Sequence, residues 1–254
     1  MLPANVYSVI KRIADLALSA VLLVLLSPLV LLLAVIVGCE TWSFPFFMQE
    51  RGLTLERHRF RIVKLRTIKA VSLPVRAGAS WMVFKKPFLE DVIPSFCARL
   101  RRTGLDELPQ LWNILRGDMS FIGPRPLSLV DLEVIKNETP LLYERRNRLR
   151  SKPGLSGMWQ LFGDRSLGTE NLVALDTHYD RSRSFALDMT LMARTVPTVL
   201  LAMHSDAIVG SRSKNLSSSI VERKNPDEKL VEQAFLPVKV ELSCEYFRSL
   251  KLGI

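Results

Sequence analysis

From Leu16 to Cys39 the chain carries no charged side chain. As a helix this run reaches roughly 36 Å at ~1.5 Å per residue, and a bilayer core needs only about 20 apolar residues. A cleaved secretory leader has a shorter apolar region, ~7–15 residues, and ends in a small-residue cleavage site. This run is longer and has no clear site of that kind. It reads as a retained membrane segment.

Ser27-Pro28 interrupts the run in its middle. Proline removes a backbone donor and crowds the preceding turn. One outcome is a kinked span, which a membrane helix tolerates. The other is a re-entrant helix that bends at Ser27 and Pro28 and leaves by the face it entered. Charge favours the second. Lys11 and Arg12 precede the run, and Arg51, Arg57, Arg59, Arg61, Lys64 and Arg66 follow it. The positive-inside rule draws both flanks to the cytoplasmic side, which a single span does not allow.

The segment divides the chain into residues 1–39, the membrane region; 40–204, a basic domain of mixed pattern; and 205–254, a linker and tail. The tail opens on Ser211-Arg212-Ser213-Lys214-Asn215 and the serines after Leu216, a flexible polar composition. No chemistry is visible in it. In the middle zone Phe46–Met48 and Arg59–Lys64 read as short strands. Leu105–Leu115 reads as a helix with Pro109 in its first turn and Gly117 as its stop. Leu141–Arg150 reads as a basic amphipathic helix suited to a membrane surface, and Leu187–Met203 as a further helix. The fold class expected is α+β: a re-entrant membrane helix with a mostly helical catalytic domain and short strands.

Lysine and arginine outnumber aspartate and glutamate 35 to 25, a net charge of +10. Such a balance suits phosphates, acidic headgroups or nucleic acid. The three cysteines are widely separated with no CxxC pair, and the three histidines show no ligand spacing. No disulfide framework and no zinc site is expected.

The chemistry concentrates around Asp106-Glu107. At a helix start two adjacent carboxylates can converge on one site, and the local dipole keeps them ionised. A solvated acidic first turn is the plainer alternative. Arg99, Arg101, Arg102 and Arg116 bracket the pair, and Arg125 follows in Gly123-Pro124-Arg125-Pro126. Carboxylates among guanidiniums suit a metal-bridged polyphosphate: the acids hold Mg2+ and the arginines hold phosphate oxygens. Lys64 and Arg66 would share one face of an extended strand and grip a phosphate, or simply form an exposed basic strand. Pro153-Gly154-Leu155-Ser156-Gly157 reads as a structural turn. Trp159 and Gln160 are candidates to contact a base or sugar, with core packing the plainer role for the tryptophan.

In order along the chain stand Lys11-Arg12 with Asp15, the Ser27-Pro28 break, Gln49-Glu50-Arg51-Gly52, Lys64-Leu65-Arg66-Thr67, Leu100-Arg101-Arg102-Thr103, Leu105-Asp106-Glu107-Leu108-Pro109-Gln110-Leu111, Gly117-Asp118-Met119-Ser120, Gly123-Pro124-Arg125-Pro126, and Lys152-Pro153-Gly154-Leu155-Ser156-Gly157 with Gln160. Each is weak alone. The ordered series, from about Lys11 to about His204, resembles the bacterial sugar transferase family, the small monotopic phosphoglycosyl transferases that act on undecaprenyl phosphate.

The resemblance implies a UDP-sugar donor, a polyprenyl phosphate acceptor and Mg2+ as cofactor. It implies attack by Asp106 on the sugar-bearing phosphate, release of UMP, and a covalent intermediate that the lipid phosphate resolves. Glu107 would help hold the metal, and Lys64, Arg66, Arg101 and Arg125 would hold phosphates. It also implies a bacterial inner-membrane location with the site on the cytoplasmic face, early in exopolysaccharide or related glycan synthesis, and no nucleic-acid partner. Ile68, Cys97 and Gly104 depart from the family pattern and bear on local geometry. The alternative class is a membrane-anchored basic module that binds anionic lipid or nucleic acid without turnover. It explains the charge and the anchor but not the paired acids. A multi-spanning transferase fits poorly, because only one long apolar run exists.

Overall fold

The computed structural model describes residues 4–69, 93–164 and 167–200. Helix α1 spans Ala4–Thr41. It is carried through Pro28 as one element, with the Ser27 hydroxyl donating to the Val24 carbonyl at 2.9 Å. Thus the expected break at Ser27 and Pro28 does not divide the helix into two elements. The chain leaves α1 through Trp42, which has a left-handed φ of 50°, and enters a hairpin of β1 (Phe46–Gly52) and β2 (Phe60–Leu65). The strands pair antiparallel, from Phe46 opposite Leu65 to Arg51 opposite Phe60. Both expected strands are present, and β1 extends beyond Met48.

Helix α2 (Ser95–Thr103) ends at Gly104, whose φ of 71° is left-handed. The expected helix from Leu105 is two elements: a 3-10 helix at Leu105–Gln110, then α3 at Leu111–Arg116. Pro109 accounts for the division, since it has no N–H to give to the Leu105 carbonyl and the first turns tighten instead. Gly117 caps α3 with φ 94°, as expected. Strand β3 (Ser120–Ile122), β4 (Leu127–Ser128), α4 (Leu129–Glu138), α5 (Pro140–Asn147), β5 (Gly154–Ser156), α6 (Met158–Phe162), α7 (Gly168–Ser182) and α8 (Phe185–Leu200) follow. Strand β4 adds to the hairpin beside β1, while β3 and β5 form a separate parallel pair. The tail, 205–254, lies outside the described residues.

The core gathers Phe60, Ile62, Ile114, Met119, Ile122 and Tyr179, and Leu18, Leu22, Leu23 and Leu26 of α1 pack against it. Polar contacts choose this face of α1. Arg12 donates to the Ile114 and Leu115 carbonyls at 2.7 and 3.0 Å, satisfying the orphaned C-terminal end of α3. A side chain at Gly117 would begin 2.8 Å from the Arg12 guanidinium, so the cap glycine also makes room for this contact. Buried Asp15 accepts from the Ser120 hydroxyl at 2.7 Å. Tyr7, Lys11 and Tyr179 all donate to Asp188 of α8 at 2.7 Å. The opposite flank of α1, including Val21, Val24, Leu25, Leu31 and Val35, is exposed.

Helix α5 departs from expectation. It stops at Asn147, and Tyr143 and Arg146 turn inward, so only Arg145, Arg148 and Arg150 of the expected basic face remain outside. Arg146 is fully buried. It donates to Asp176 at 2.5 Å, to the Leu53 carbonyl at 2.7 Å, and to the Arg125 carbonyl. The other oxygen of Asp176 accepts from the Arg125 N–H at 3.3 Å. Burial pushes the Asp176 carboxyl up, and the Arg146 guanidinium draws it back down. One ion pair therefore fixes the backbone of the Gly123–Pro126 turn. Truncating Arg146 leaves Asp176 buried and unpaired, which costs about 3–5 kcal/mol. Arg146→Ala is expected to lower stability by that amount in chemical denaturation, and Arg146→Lys to restore little of it, because lysine cannot donate in the same fork.

Candidate active site

The 3-10 helix lies against β2. Buried Asn113 of α3 fixes the register between them: its amide donates to the Arg61 carbonyl at 2.7 Å and accepts from the Val63 N–H at 3.1 Å. This lock sets Glu107 opposite Lys64, and the two form a part-buried ion pair. Nothing in the motif series singled out Asn113. A polar residue in the apolar stripe of Leu111 and Ile114 was the available signal.

Lys64 and Glu107 form part of the wall of a small, half-open cleft, with Arg51, Arg125, Gln110 and Gln160 also lining it. Arg51 is steadied by the Pro126 carbonyl and the Gln49 side chain, each at 3.2 Å. The Gly123–Pro126 turn closes tightly on β5: a side chain at Gly154 would begin 2.1 Å from the Gly123 nitrogen. Glycine is required there by contact rather than by an unusual φ. The structure thus brings Lys64, Glu107 and Arg125 to one cleft, on three different elements.

Asp106 is buried, at 6% exposure. It sits beside Glu107 in the first turn of the 3-10 helix and is not among the residues that line the cleft. Arg101 donates to the Thr67 hydroxyl at 2.9 Å, and its Nε is buried with no hydrogen-bond partner. Both Asp106 and Arg101 act electrostatically on Cys97. Burial is the main influence on that thiol and pushes it up to about 11. Cys97 is therefore an inert packing residue, set among Leu33, Val37, Leu65 and Leu100. Its departure from the family pattern fills a core position.

Arg66 does not join the cleft lining. It lies beyond the end of β2, donates to the Phe44 carbonyl at 3.0 Å and stacks 5.5 Å from the Phe47 ring centre. The strand stops at Leu65: the Arg66 N–H still bonds the Pro45 carbonyl in register with β1, but Pro45 has no N–H with which to return the bond and carry the ladder on. Trp159 is buried with Leu132 and Leu172, the plainer of its two expected roles. Among the described residues no three His, Cys, Asp or Glu side chains gather as a metal-ligand group. Asp106 and Glu107 are hard oxygen donors of the type that holds Mg2+ together with substrate phosphates, and the Glu107 carboxylate is paired with Lys64.

Residues 6–202 match the family model described as bacterial sugar transferase. The chain is 33% identical to the exopolysaccharide production protein ExoY of Rhizobium meliloti, covering 77% of this chain and 87% of that protein. It is 34% identical to the UDP-glucose:undecaprenyl-phosphate glucose-1-phosphate transferase of Caulobacter vibrioides, over 78% of this chain and 73% of that one. A UDP-galactose-lipid carrier transferase of Erwinia amylovora is 30% identical over 75% of this chain and 40% of its own length. With the match running from α1 through α8 and across every element of the cleft, the chain belongs to the bacterial sugar transferase family.

Proposed function

We propose that this protein transfers a sugar-1-phosphate from a UDP-sugar to a polyprenyl phosphate through a covalent intermediate on Asp106. The observation that carries the reading is the Asp106-Glu107 pair on a 3-10 turn, with Glu107 and Lys64 paired in the wall of a cleft that Arg51 and Arg125 also line. A carboxylate and a diphosphate repel, so their reaction needs fixed positive charge. An Asp106 carboxylate oxygen attacks the sugar-bearing phosphorus. The bond from that phosphorus to the bridging oxygen breaks, and UMP leaves with the electron pair. A phosphate oxygen of the lipid then attacks the same phosphorus, and the Asp106 carboxylate departs. Neither displacement requires a net proton. Lys64 and Arg125 orient the diphosphate, and Glu107 holds Lys64 in place until substrate arrives. Mg2+ bound by Asp106 and Glu107 would add neutralising charge at the phosphate oxygens.

The exposed apolar flank of α1 supports a membrane location, because a helix apolar on all sides is covered either by protein or by lipid. We place that flank in the inner membrane as a re-entrant segment bent at Ser27 and Pro28, with the cleft on the cytoplasmic face. The relatives named for exopolysaccharide production and undecaprenyl-phosphate transfer support a role early in such a pathway.

Detergent-purified protein with Mg2+ and undecaprenyl phosphate is expected to release UMP from one of UDP-glucose, UDP-galactose or UDP-N-acetylgalactosamine. Asp106→Asn should lower the rate by at least about 10³-fold. Lys64→Ala and Arg125→Ala should each lower kcat/KM roughly 10–100-fold, as expected for one lost charged contact. Arg66→Ala should affect donor use less than either. No UMP from any donor with folded protein would overturn the reading. For the membrane path, Pro28→Ala should raise labelling of a cysteine placed at Asn5 from the periplasmic side, in an otherwise cysteine-free chain. Unchanged labelling would contradict a hairpin held by proline.

A further inference from the structure

The cleft contains a neutral group that phosphate chemistry leaves without work. Gln160 stands on α6, is 5% exposed, and lines the cleft with Arg125 and Gly154. Its Oε1 is buried and has no hydrogen-bond partner. Leaving a buried amide oxygen unpaired costs about 1–3 kcal/mol, and such groups are few in folded proteins. The surroundings hold it there. A side chain at Gly157 would begin 2.2 Å from the Gly123 carbonyl oxygen and 3.2 Å from Gln160 Oε1. The glycine turn therefore leaves open the space that this amide occupies.

An unpaired carbonyl oxygen is no phosphate ligand, because both are acceptors and repel. Its complement is an N–H or O–H. In a nucleotide-sugar the diphosphate offers none, whereas the imide N–H of the base and the hydroxyl or amide groups of the sugars do. We infer that Gln160 Oε1 accepts a hydrogen bond from a neutral donor group of the nucleotide-sugar, forming a selectivity subsite beside the phosphate-binding cations. The inference rests on the transferase reading above. It separates two tasks within one cleft: Lys64 and Arg125 take the charge of the diphosphate, and Gln160 reads a neutral donor on the base or the sugar. A site built to pair with a substrate N–H or O–H discriminates strongly against analogues lacking it, because its own buried atom is then left unsatisfied.

The test is a cycle between protein and substrate. Donor kcat and KM are measured for wild type and Gln160→Leu with the preferred UDP-sugar, its N3-methyluridine analogue, and its singly deoxygenated sugar analogues. Gln160→Leu should raise donor KM roughly tenfold with kcat held within about threefold, without lowering the thermal midpoint, since it removes a buried unpaired oxygen. One analogue should lose comparable efficiency with wild type and lose little more with Gln160→Leu, the non-additivity expected of groups in contact. Coupling to the N3-methyl analogue assigns the base, and coupling to a deoxy analogue assigns the sugar. Additive losses for every analogue, or an unchanged KM, overturn the inference while leaving the transferase reading intact. A wild-type chain that releases no UMP overturns both. If Gln160→Leu does not fold, Gln160→Asn, which withdraws the carbonyl by one methylene, runs the same cycle with the same deciding outcomes.

Discussion

Arg12 and Asp15 decide how α1 meets the rest of the molecule. A helix apolar on all sides has no intrinsic preference for one face, since any stripe of leucine and valine buries equally well. The Arg12 guanidinium on the closing carbonyls of α3 and the buried Asp15 carboxylate on Ser120 supply that preference. Displacing either leaves a charge or a helix end unsatisfied in a poorly hydrated place, a far larger penalty than rotating an apolar stripe. The contact reaches the chemistry through a short path. Arg12 seats α3, Asn113 of α3 locks onto β2, and that lock sets Glu107 against Lys64. The apolar helix α1 and the charged cleft are thereby linked through α3 and β2.

The second organising pair is Arg146 with Asp176. A buried ion pair is seldom a large net source of stability, and here its value is positional. It binds the backbone on both sides of Arg125, so the Arg125 side chain is presented by a turn with little freedom. The cleft then holds Arg51, Lys64 and Arg125 with few carboxylates beside them, a balance suited to a polyanionic ligand.

Much of this was legible in the sequence because local rules governed it. The uncharged run forms one long helix. The hairpin strands, the left-handed cap at Gly117 and the acidic first turn follow from alternation, glycine and helix-start chemistry. The misses at Arg66 and Arg146 share a cause: each depended on a partner distant in the chain. Arg66 was expected to share a face with Lys64, but its guanidinium is held by the Phe44 carbonyl and the Phe47 ring, contacts that strand alternation does not reveal. Arg146 looked like part of a surface stripe because a buried arginine is recognisable only when Asp176 is known to face it. Pro109 was placed in a first turn, and its effect was to divide the helix. Gln160 was visible as a candidate contact, but its unpaired oxygen emerges only from packing against Gly123 and Gly157.

The covalent step is the claim on which the account turns. The decisive measurement incubates the protein with a UDP-sugar carrying radiolabel in the sugar-bearing phosphate, without lipid acceptor, followed by acid quench and peptide mapping. Label is expected on Asp106, approaching one per protein, absent from Asp106→Asn and discharged on adding undecaprenyl phosphate. An active enzyme with no protein-bound label, or with label on the cleft-lining Glu107, would contradict it.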